Sequence, residues 1–159
     1  MLFYEPLFLI VFPAFYALYL LVRGTPAKKW TLLVASALFY LWGEPVFVLV
    51  LLISAALDYA LSFHLSDPTP RATRRLALTA GIAGNLAILV VYKYADFLAD
   101  NLNLALAPLG AHRLPLLHLA LPIGVSFVVF EKITYLVDIY RRISHPAGRF
   151  ATYLLYVFF

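Results

Sequence analysis

The sequence contains no cysteine, which excludes both a disulfide framework and a thiolate metal site. Charge is also scarce, because only 13% of the 159 residues are charged, against about 25% in an average soluble domain. Hydrophobic residues make up 64% of the chain and aromatic residues 16%. A soluble fold of this length cannot bury so much apolar surface, and disordered chains are poor in aromatic residues. The composition therefore predicts a membrane protein with several spanning helices.

The formal net charge of +4 does not indicate nucleic-acid binding. A nucleic-acid surface gathers Lys and Arg on one face of the protein, whereas the basic residues here fall in separated clusters. We therefore expect the lipid bilayer to be a partner of this chain and nucleic acid not to be one.

Five stretches approach the ~20 mostly apolar residues that a transmembrane helix needs. They comprise residues 7–22, 30–42, 46–63, 76–92 and 116–139. The second stretch is short and is expected to begin near Ala27, while Pro122 and Gly124 interrupt the fifth. Residues 43–45 read Gly-Glu-Pro, a helix stop followed by a restart, so the second and third spans should be antiparallel neighbours.

Basic residues concentrate in three of the predicted loops, at 23–29, 64–75 and 140–150. Cytoplasmic loops of membrane proteins carry an excess of Lys and Arg. The three basic loops share one side of the membrane only if the N-terminus is outside and five spans precede Arg141. Because five spans are also counted independently, the sequence predicts an all-α polytopic bundle with its N-terminus outside.

Two further segments complete this interpretation. Residues 94–109 mix Asp and Asn with Leu and Phe at helical spacing, which favours an amphipathic helix at the membrane interface or, equally, a polar-faced helix inside the bundle. Residues 153–159 are apolar but cover only about a third of a bilayer, so they are expected to begin a sixth span. We therefore expect residues 1–159 to be one transmembrane region and the front part of a longer protein.

Ionisable residues inside predicted spans are costly and point to pairing or function. Asp58 lies near the end of the third span, where the favoured interpretation is contact with headgroups or with a basic loop residue. Asp138 stands three residues before Arg141 and four before Arg142, spacings at which helix side chains meet, so a structural ion pair is expected there. Glu131 lies about two turns deeper and could line a water-filled cavity, a substrate path or a buried hydrogen-bond network.

The four histidines fall in or beside predicted loops and are expected to be solvated. They are His64, His112, His118 and His145. None of them pairs with another at metal-ligand spacing, and no nucleophile, phosphate-loop or dinucleotide motif occurs. The residues themselves therefore predict no catalytic, cofactor-binding or metal-binding residue in this chain.

One stretch carries a more specific pattern. It reads LPIGVSF at 121–127, FEKITY at 130–135 and DIYR at 138–141. This pattern resembles the signature of the membrane-bound O-acyltransferases, in the bacterial branch that contains the alginate O-acetylation and teichoic-acid D-alanyl transfer proteins. The segments ASALFYLW at 35–42 and YKYADF at 92–97 fit the same branch. The departures are small: Thr134 stands where Ser is common, and Lys132 is a charged choice at a variable position.

The resemblance implies an enzyme of the bacterial inner membrane that transfers an acyl group, usually acetyl, to hydroxyls of a cell-surface polysaccharide such as alginate. No cofactor is expected to be resident. The implied donor is a thioester, acetyl-CoA or similar, and an acyl-relay protein outside the membrane is a further implied partner. The family's hallmark histidine is expected downstream of this chain, which should be inactive alone. Residues 121–141 are expected to line the path of the acyl donor, with Glu131 hydrogen-bonded inside it.

Two other functions remain open from the residues alone. A transporter or flippase segment would also contain interrupted helices near the membrane midplane, although the two halves of the chain show no inverted repeat. A small non-catalytic membrane subunit that assembles with a partner is the third hypothesis.

Overall fold

The computed structural model describes residues 6–43, 45–66, 68–109, 114–116, 118, 122 and 124–159, and every regular element among them is helical. The six α-helices are α1 (Pro6–Val22), α2 (Ala27–Gly43), α3 (Pro45–Leu65), α4 (Arg71–Leu106), α5 (Val125–Tyr140) and α6 (Phe150–Phe158), with a 3₁₀ turn at Ala107–Leu109. The all-α prediction is confirmed for this part of the chain. Glu44 and His112 lie outside the described residues.

The first three helices follow the predicted spans closely. Thr25 makes the tight connection between α1 and α2: its hydroxyl donates to the carbonyl of Val22 at 2.8 Å and accepts from the amide of Ala27 at 3.3 Å. The last residue of one helix and the first of the next are thereby both satisfied. The predicted stop and restart is confirmed as well, since α2 ends at Gly43 and α3 begins at Pro45.

The predicted separation of residues 76–92 from an interfacial helix at 94–109 is wrong. Both segments belong to α4, a single helix of 36 residues. The linking sequence Tyr-Lys-Tyr-Ala at 92–95 contains neither glycine nor proline, so nothing in it ends the helix. In the second half of α4, Asn103 holds the loop that follows. The side chain of Asn103 exchanges two hydrogen bonds with the backbone of Leu114, at 2.7 and 3.0 Å.

Within the fifth predicted span, 116–139, the described helix is α5, which starts at Val125. Pro122 is buried, and α5 begins at Val125 after Gly124, which adopts a left-handed conformation with φ +78°. Side chains rarely tolerate this conformation, so glycine is required there. Leu121 and Ile123 of the motif lie outside the described residues. The proline and glycine thus start a helix of 16 residues and do not merely bend a longer one.

Helices α3, α4 and α5 pack against one another, and α6 packs against α2, α3 and α5. Their apolar side chains form one large buried cluster, whose members come from α2, α3, α5 and α6, and a smaller one at the ends of α3 and α5. Helix α4 packs closely on α5 at Gly81, where a Cβ atom would lie 2.5 Å from the Cδ1 atom of Leu136. At Gly84 a Cβ atom would meet nothing within 4 Å.

A buried arginine closes the loop end of the three-helix core. The guanidinium of Arg74 donates to the carbonyl of Leu65 at 2.8 Å and to that of Tyr140 at 2.6 Å. These are the final residues of α3 and α5, whose last carbonyls have no partner within their own helices. The cation also opposes the negative ends of both helix dipoles. Arg74, in the first turn of α4, therefore fixes the ends of two other helices.

Two of the described helices, Pro45–Leu65 and Arg71–Leu106, are long and apolar enough to cross a membrane. A shorter apolar helix covers Phe8–Val22. At about 1.5 Å per residue, the 21 residues of α3 extend about 31 Å, which matches the ~30 Å hydrocarbon core of a bilayer.

Replacing Gly81 with alanine should destabilise the protein by about 1–3 kcal/mol, because the new methyl group forces Leu136 to move in a packed core. Leu136 is fully buried and has little room to shift. Gly84→Ala is the matched control on the same helix, and it should be neutral or slightly stabilising because alanine favours helix. Thermal unfolding of the intact protein in lipid nanodiscs measures both. Equal effects of the two variants would contradict the close packing at Gly81.

Candidate functional site

A buried ion pair joins α3 to α5. The Nζ atom of Lys132 lies 3.1 Å from the Oδ2 atom of Asp58, and the two residues are 1% and 3% exposed. Two opposite charges removed from water are stable only when paired and hydrogen-bonded, because the desolvation of each ion costs several kcal/mol. The pair therefore fixes these two helices relative to one another at one point.

Asn85 brings α4 into the same cluster. Its amide nitrogen donates to both carboxylate oxygens of Asp58, at 3.0 and 2.9 Å, and to the backbone carbonyl of Gly81 at 2.9 Å. A carboxylate accepts hydrogen bonds only, so the amide nitrogen must face Asp58. The side chain is 2% exposed. One carboxylate thus connects three helices.

Ser54 completes the cluster one helical turn before Asp58. Its hydroxyl accepts a hydrogen bond from Lys132 at 2.7 Å and donates to the carbonyl of Leu51 at 3.0 Å. Ser54 and Asp58 are four residues apart on α3 and therefore share a face of the helix. We call Ser54, Asp58, Asn85 and Lys132 the polar cluster.

Two buried polar atoms near this part of the bundle have no hydrogen-bond partner among the described residues: the Oδ1 atom of Asn85 and the hydroxyl of Tyr153. Tyr153 is 1% exposed and lies among other tyrosine rings, with centroid separations of 4.4 Å to Tyr135 and 6.1 Å to Tyr59. The hydroxyl of Tyr135 in turn accepts a hydrogen bond from the amide of Ala147 at 3.0 Å. This aromatic packing holds α6 against α3 and α5.

The polar cluster corrects two expectations for charged residues. Asp58 pairs with Lys132 inside the bundle, and not with headgroups or a basic loop residue. Among the described residues, Asp138 forms no ion pair with Arg141 or Arg142. Helix α5 ends at Tyr140, and Arg142 has a φ of +66°, which breaks the helical spacing. Asp138 instead accepts the amide of Ile143 through its backbone carbonyl at 2.9 Å.

Glu131 is half-buried, and its carboxylate forms no hydrogen bond or ion pair with any described residue. The expected hydrogen bond inside a donor path is therefore not made within this part of the chain. The hydroxyl of Tyr156 does reach the backbone carbonyl of Glu131 at 3.2 Å.

The three histidines that the structure describes lie outside the polar cluster. His64 bonds the carbonyl of Ala60 one turn earlier, at 3.1 Å, while His118 and His145 are exposed. No group of three or more metal-ligating side chains occurs among the described residues. With its lysine paired to a carboxylate, the polar cluster is built to hold helices together and offers no nucleophile next to a free base.

The sequence pattern did not single out three buried residues in or near the polar cluster. They are Ser54, Asn85 and Tyr153. Ser54 and Asp58 share a spacing of four residues, which could have paired them on one helix face. Asn85 is a lone amide in an otherwise apolar span, which could have marked it as a partner for a buried charge. Tyr153 carried no signal distinct from its aromatic neighbours.

The chain resembles known proteins over most of its length. It is 37% identical over 153 residues to the probable alginate O-acetylase AlgI of Pseudomonas syringae pathovar tomato, covering 94% of this chain and 29% of that protein. It is 35% identical over 144 residues to the protein of the same name from Pseudomonas aeruginosa, covering 89% of this chain and 27% of that protein. The peptidoglycan O-acetyltransferase of Helicobacter pylori is 30% identical over 148 residues, with coverage of 89% and 27%.

These relatives confirm the resemblance to the alginate O-acetylation proteins that the motif at 121–141 predicts. The chain spans less than a third of the length of the curated relatives described above. No protein-family model matches the chain, and no solved structure matches it.

The Asp58–Lys132 pair can be tested by a double-mutant cycle. Lys132→Met and Asp58→Asn should each destabilise the intact protein by about 3–5 kcal/mol, because each leaves one buried charge without its partner. The double variant removes both charges and keeps an acceptor for Asn85, so its loss should be much smaller than the sum. Thermal unfolding in nanodiscs gives the four values. Glu131→Gln changes the residue beside Lys132, serves as the control and should be nearly neutral. Losses in the double variant that equal the sum of the two single losses would contradict the Asp58–Lys132 ion pair.

Proposed function

We propose that this chain is part of a membrane-bound O-acyltransferase that transfers an acetyl group to hydroxyls of a cell-surface polysaccharide such as alginate. Its similarity to proteins named as O-acetylases and an O-acetyltransferase, over at least 89% of its residues, carries this proposal. A transporter or flippase segment and a small non-catalytic subunit are not favoured, since those relatives are named for acetyl transfer.

The proposed arrangement is an inner-membrane protein with its N-terminus outside, five spans and the start of a sixth. The helix lengths of α3 and α4 and the apolar α1 support it. Helix α5 extends only about 24 Å, so its crossing would be completed by the residues before Gly124. Non-helical backbone is tolerated at membrane depth where protein covers it, and the burial of Pro122 is consistent with that.

The proposed reaction needs a donor, an acceptor and a base. The acceptor hydroxyl oxygen attacks the carbonyl carbon of a thioester such as acetyl-CoA, directly or through an extracytoplasmic relay protein. A carbon–oxygen bond forms, the carbon–sulfur bond breaks, the thiol leaves, and a base takes the hydroxyl proton. A histidine suits this task near neutral pH. The family resemblance implies a base downstream of the motif, so we assign no residue of this chain to it.

The residues of this chain would hold the helices in position and line part of the path of the acyl donor. The motif residues build α5, whose buried face carries Lys132 into the polar cluster and whose last carbonyl receives Arg74. Residues 121–141 would then form part of the donor path at a fixed position. Within them the Glu131 carboxylate forms no hydrogen bond or ion pair with the described residues, so it is free to contact the donor.

The function is tested by deleting the gene and measuring base-labile O-acetyl esters on the exported polysaccharide. We expect the esters to be lost, and the intact gene to restore them. A gene ending after residue 159 should not restore them, and Glu131→Ala in the intact protein should lower ester content at unchanged protein level, with Glu131→Gln as the milder variant. Unchanged esters in the deletion strain would contradict the function, while unchanged esters in Glu131→Ala would contradict only the donor-path role.

The orientation is tested by cysteine labelling, for which a segment without native cysteine is well suited. Lys28→Cys lies in the first turn of α2 and Pro68→Cys in the loop between α3 and α4. Both should react with a membrane-impermeant maleimide only after permeabilisation. Glu44→Cys lies in the connection on the opposite side and should react in intact spheroplasts. Labelling of Lys28→Cys in intact spheroplasts would contradict the proposed orientation.

A further inference from the structure

A small cavity lies between the first turns of α2 and α6. It has a volume of about 70 Å³ and is lined by Lys29, Trp30, Leu33, Arg149, Ala151 and Thr152. The two helices pack together and both begin at this end of the bundle. None of these residues belongs to the polar cluster or to the motif at 121–141.

Two exposed cationic residues from distant parts of the sequence line this cavity. Lys29 and Arg149 both line it, and neither forms an ion pair with an acidic residue in the described ranges. Like charges brought to one cavity repel each other unless an anion lies between them. The positive ends of the α2 and α6 dipoles add to the same potential. The positive potential at the cavity therefore favours the binding of an anion.

The volume of the cavity and its other lining residues limit the kinds of ligand that it can bind. A cavity of about 70 Å³ is far smaller than the roughly 300–1,000 Å³ pockets that enclose drug-sized molecules, so it suits a single small anionic group. The Thr152 hydroxyl makes no hydrogen bond within the described part of the chain and is available as a donor. Trp30 is exposed and Leu33 is buried, an amphipathic boundary typical of the headgroup level of a membrane.

We propose that this cavity binds a phosphate group, presented by the headgroup of an anionic phospholipid. Lys29 and Arg149 neutralise the phosphate charge, Thr152 donates to a phosphate oxygen, and Trp30 lies beside the glycerol region of the lipid. The bound headgroup joins the start of α2 to the start of α6. The site goes beyond the proposed acyl transfer and does not depend on it.

The test uses the intact protein in nanodiscs of zwitterionic lipid, with phosphatidylglycerol added in steps, and follows the midpoint of thermal unfolding. A ligand that binds only the folded state raises this midpoint. We expect phosphatidylglycerol to raise it, and Lys29→Gln with Arg149→Gln to weaken the apparent affinity about tenfold or more, since each cation near the headgroups contributes to binding. Lys29→Arg with Arg149→Lys should retain the effect.

The matched control is Lys28→Gln with Arg141→Gln, which removes two cations from the same two loops and none from the cavity lining. It should keep most of the phosphatidylglycerol effect. A second titration with inorganic phosphate in zwitterionic nanodiscs separates the sources: stabilisation by phosphatidylglycerol alone supports a lipid headgroup, and stabilisation by inorganic phosphate at similar affinity overturns the lipid assignment. Equal loss in the cavity variant and the control overturns the site, and so does the absence of any phosphatidylglycerol effect on the unsubstituted protein.

Discussion

The contact between the Asp58 carboxylate and the Lys132 ammonium constrains the arrangement of α3, α4 and α5 more than any apolar contact can. Apolar side chains in a membrane bundle gain little by choosing one apolar neighbour over another, because lipid is itself apolar. A buried charge has no such freedom, since only its partner offsets the cost of removing it from water. With Asn85 donating to the same carboxylate, three helices have one position in which both charges and the Asn85 amide nitrogen have their partners.

A second polar anchor, Arg74, acts at the ends of the same helices. From Asp58 to Leu65 on α3, and from Lys132 to Tyr140 on α5, the two anchors are separated by about 10–12 Å along each helix. Two fixed points determine both the register and the crossing of a pair of helices, which one point would not. The apolar residues between them, including the close contact of Gly81 with Leu136, then fill the space that these polar contacts define.

The sequence predicted the positions of the helices better than it predicted their boundaries and the contacts between them. Apolar stretches and the Gly-Pro boundary located α1, α2 and α3, because length and hydrophobicity are local properties. The continuity of α4 was missed because polar residues at 94–109 indicated an interface, whereas one of them, Asn103, bonds the following loop. The polar cluster could not be predicted, because pairing Asp58 with Lys132 requires knowing which faces of α3 and α5 meet. The motif indicated the family but carried no information on which helices meet. Its lysine, Lys132, stands at a position that looked variable and is the residue that contacts α3.

The acyl transfer that we propose needs a donor path with a fixed wall, and in this chain that wall would be α5, held by Lys132 and by the capped carbonyl of Tyr140. The most direct test exchanges the two charges in the intact protein and measures the midpoint of thermal unfolding. Asp58→Lys and Lys132→Asp should each abolish cooperative unfolding or lower its midpoint strongly, because each places two like charges together in the core. The exchange variant, with both substitutions, should recover most of the midpoint. An exchange variant no more stable than the worse single variant would contradict the claim that this ion pair holds the bundle together.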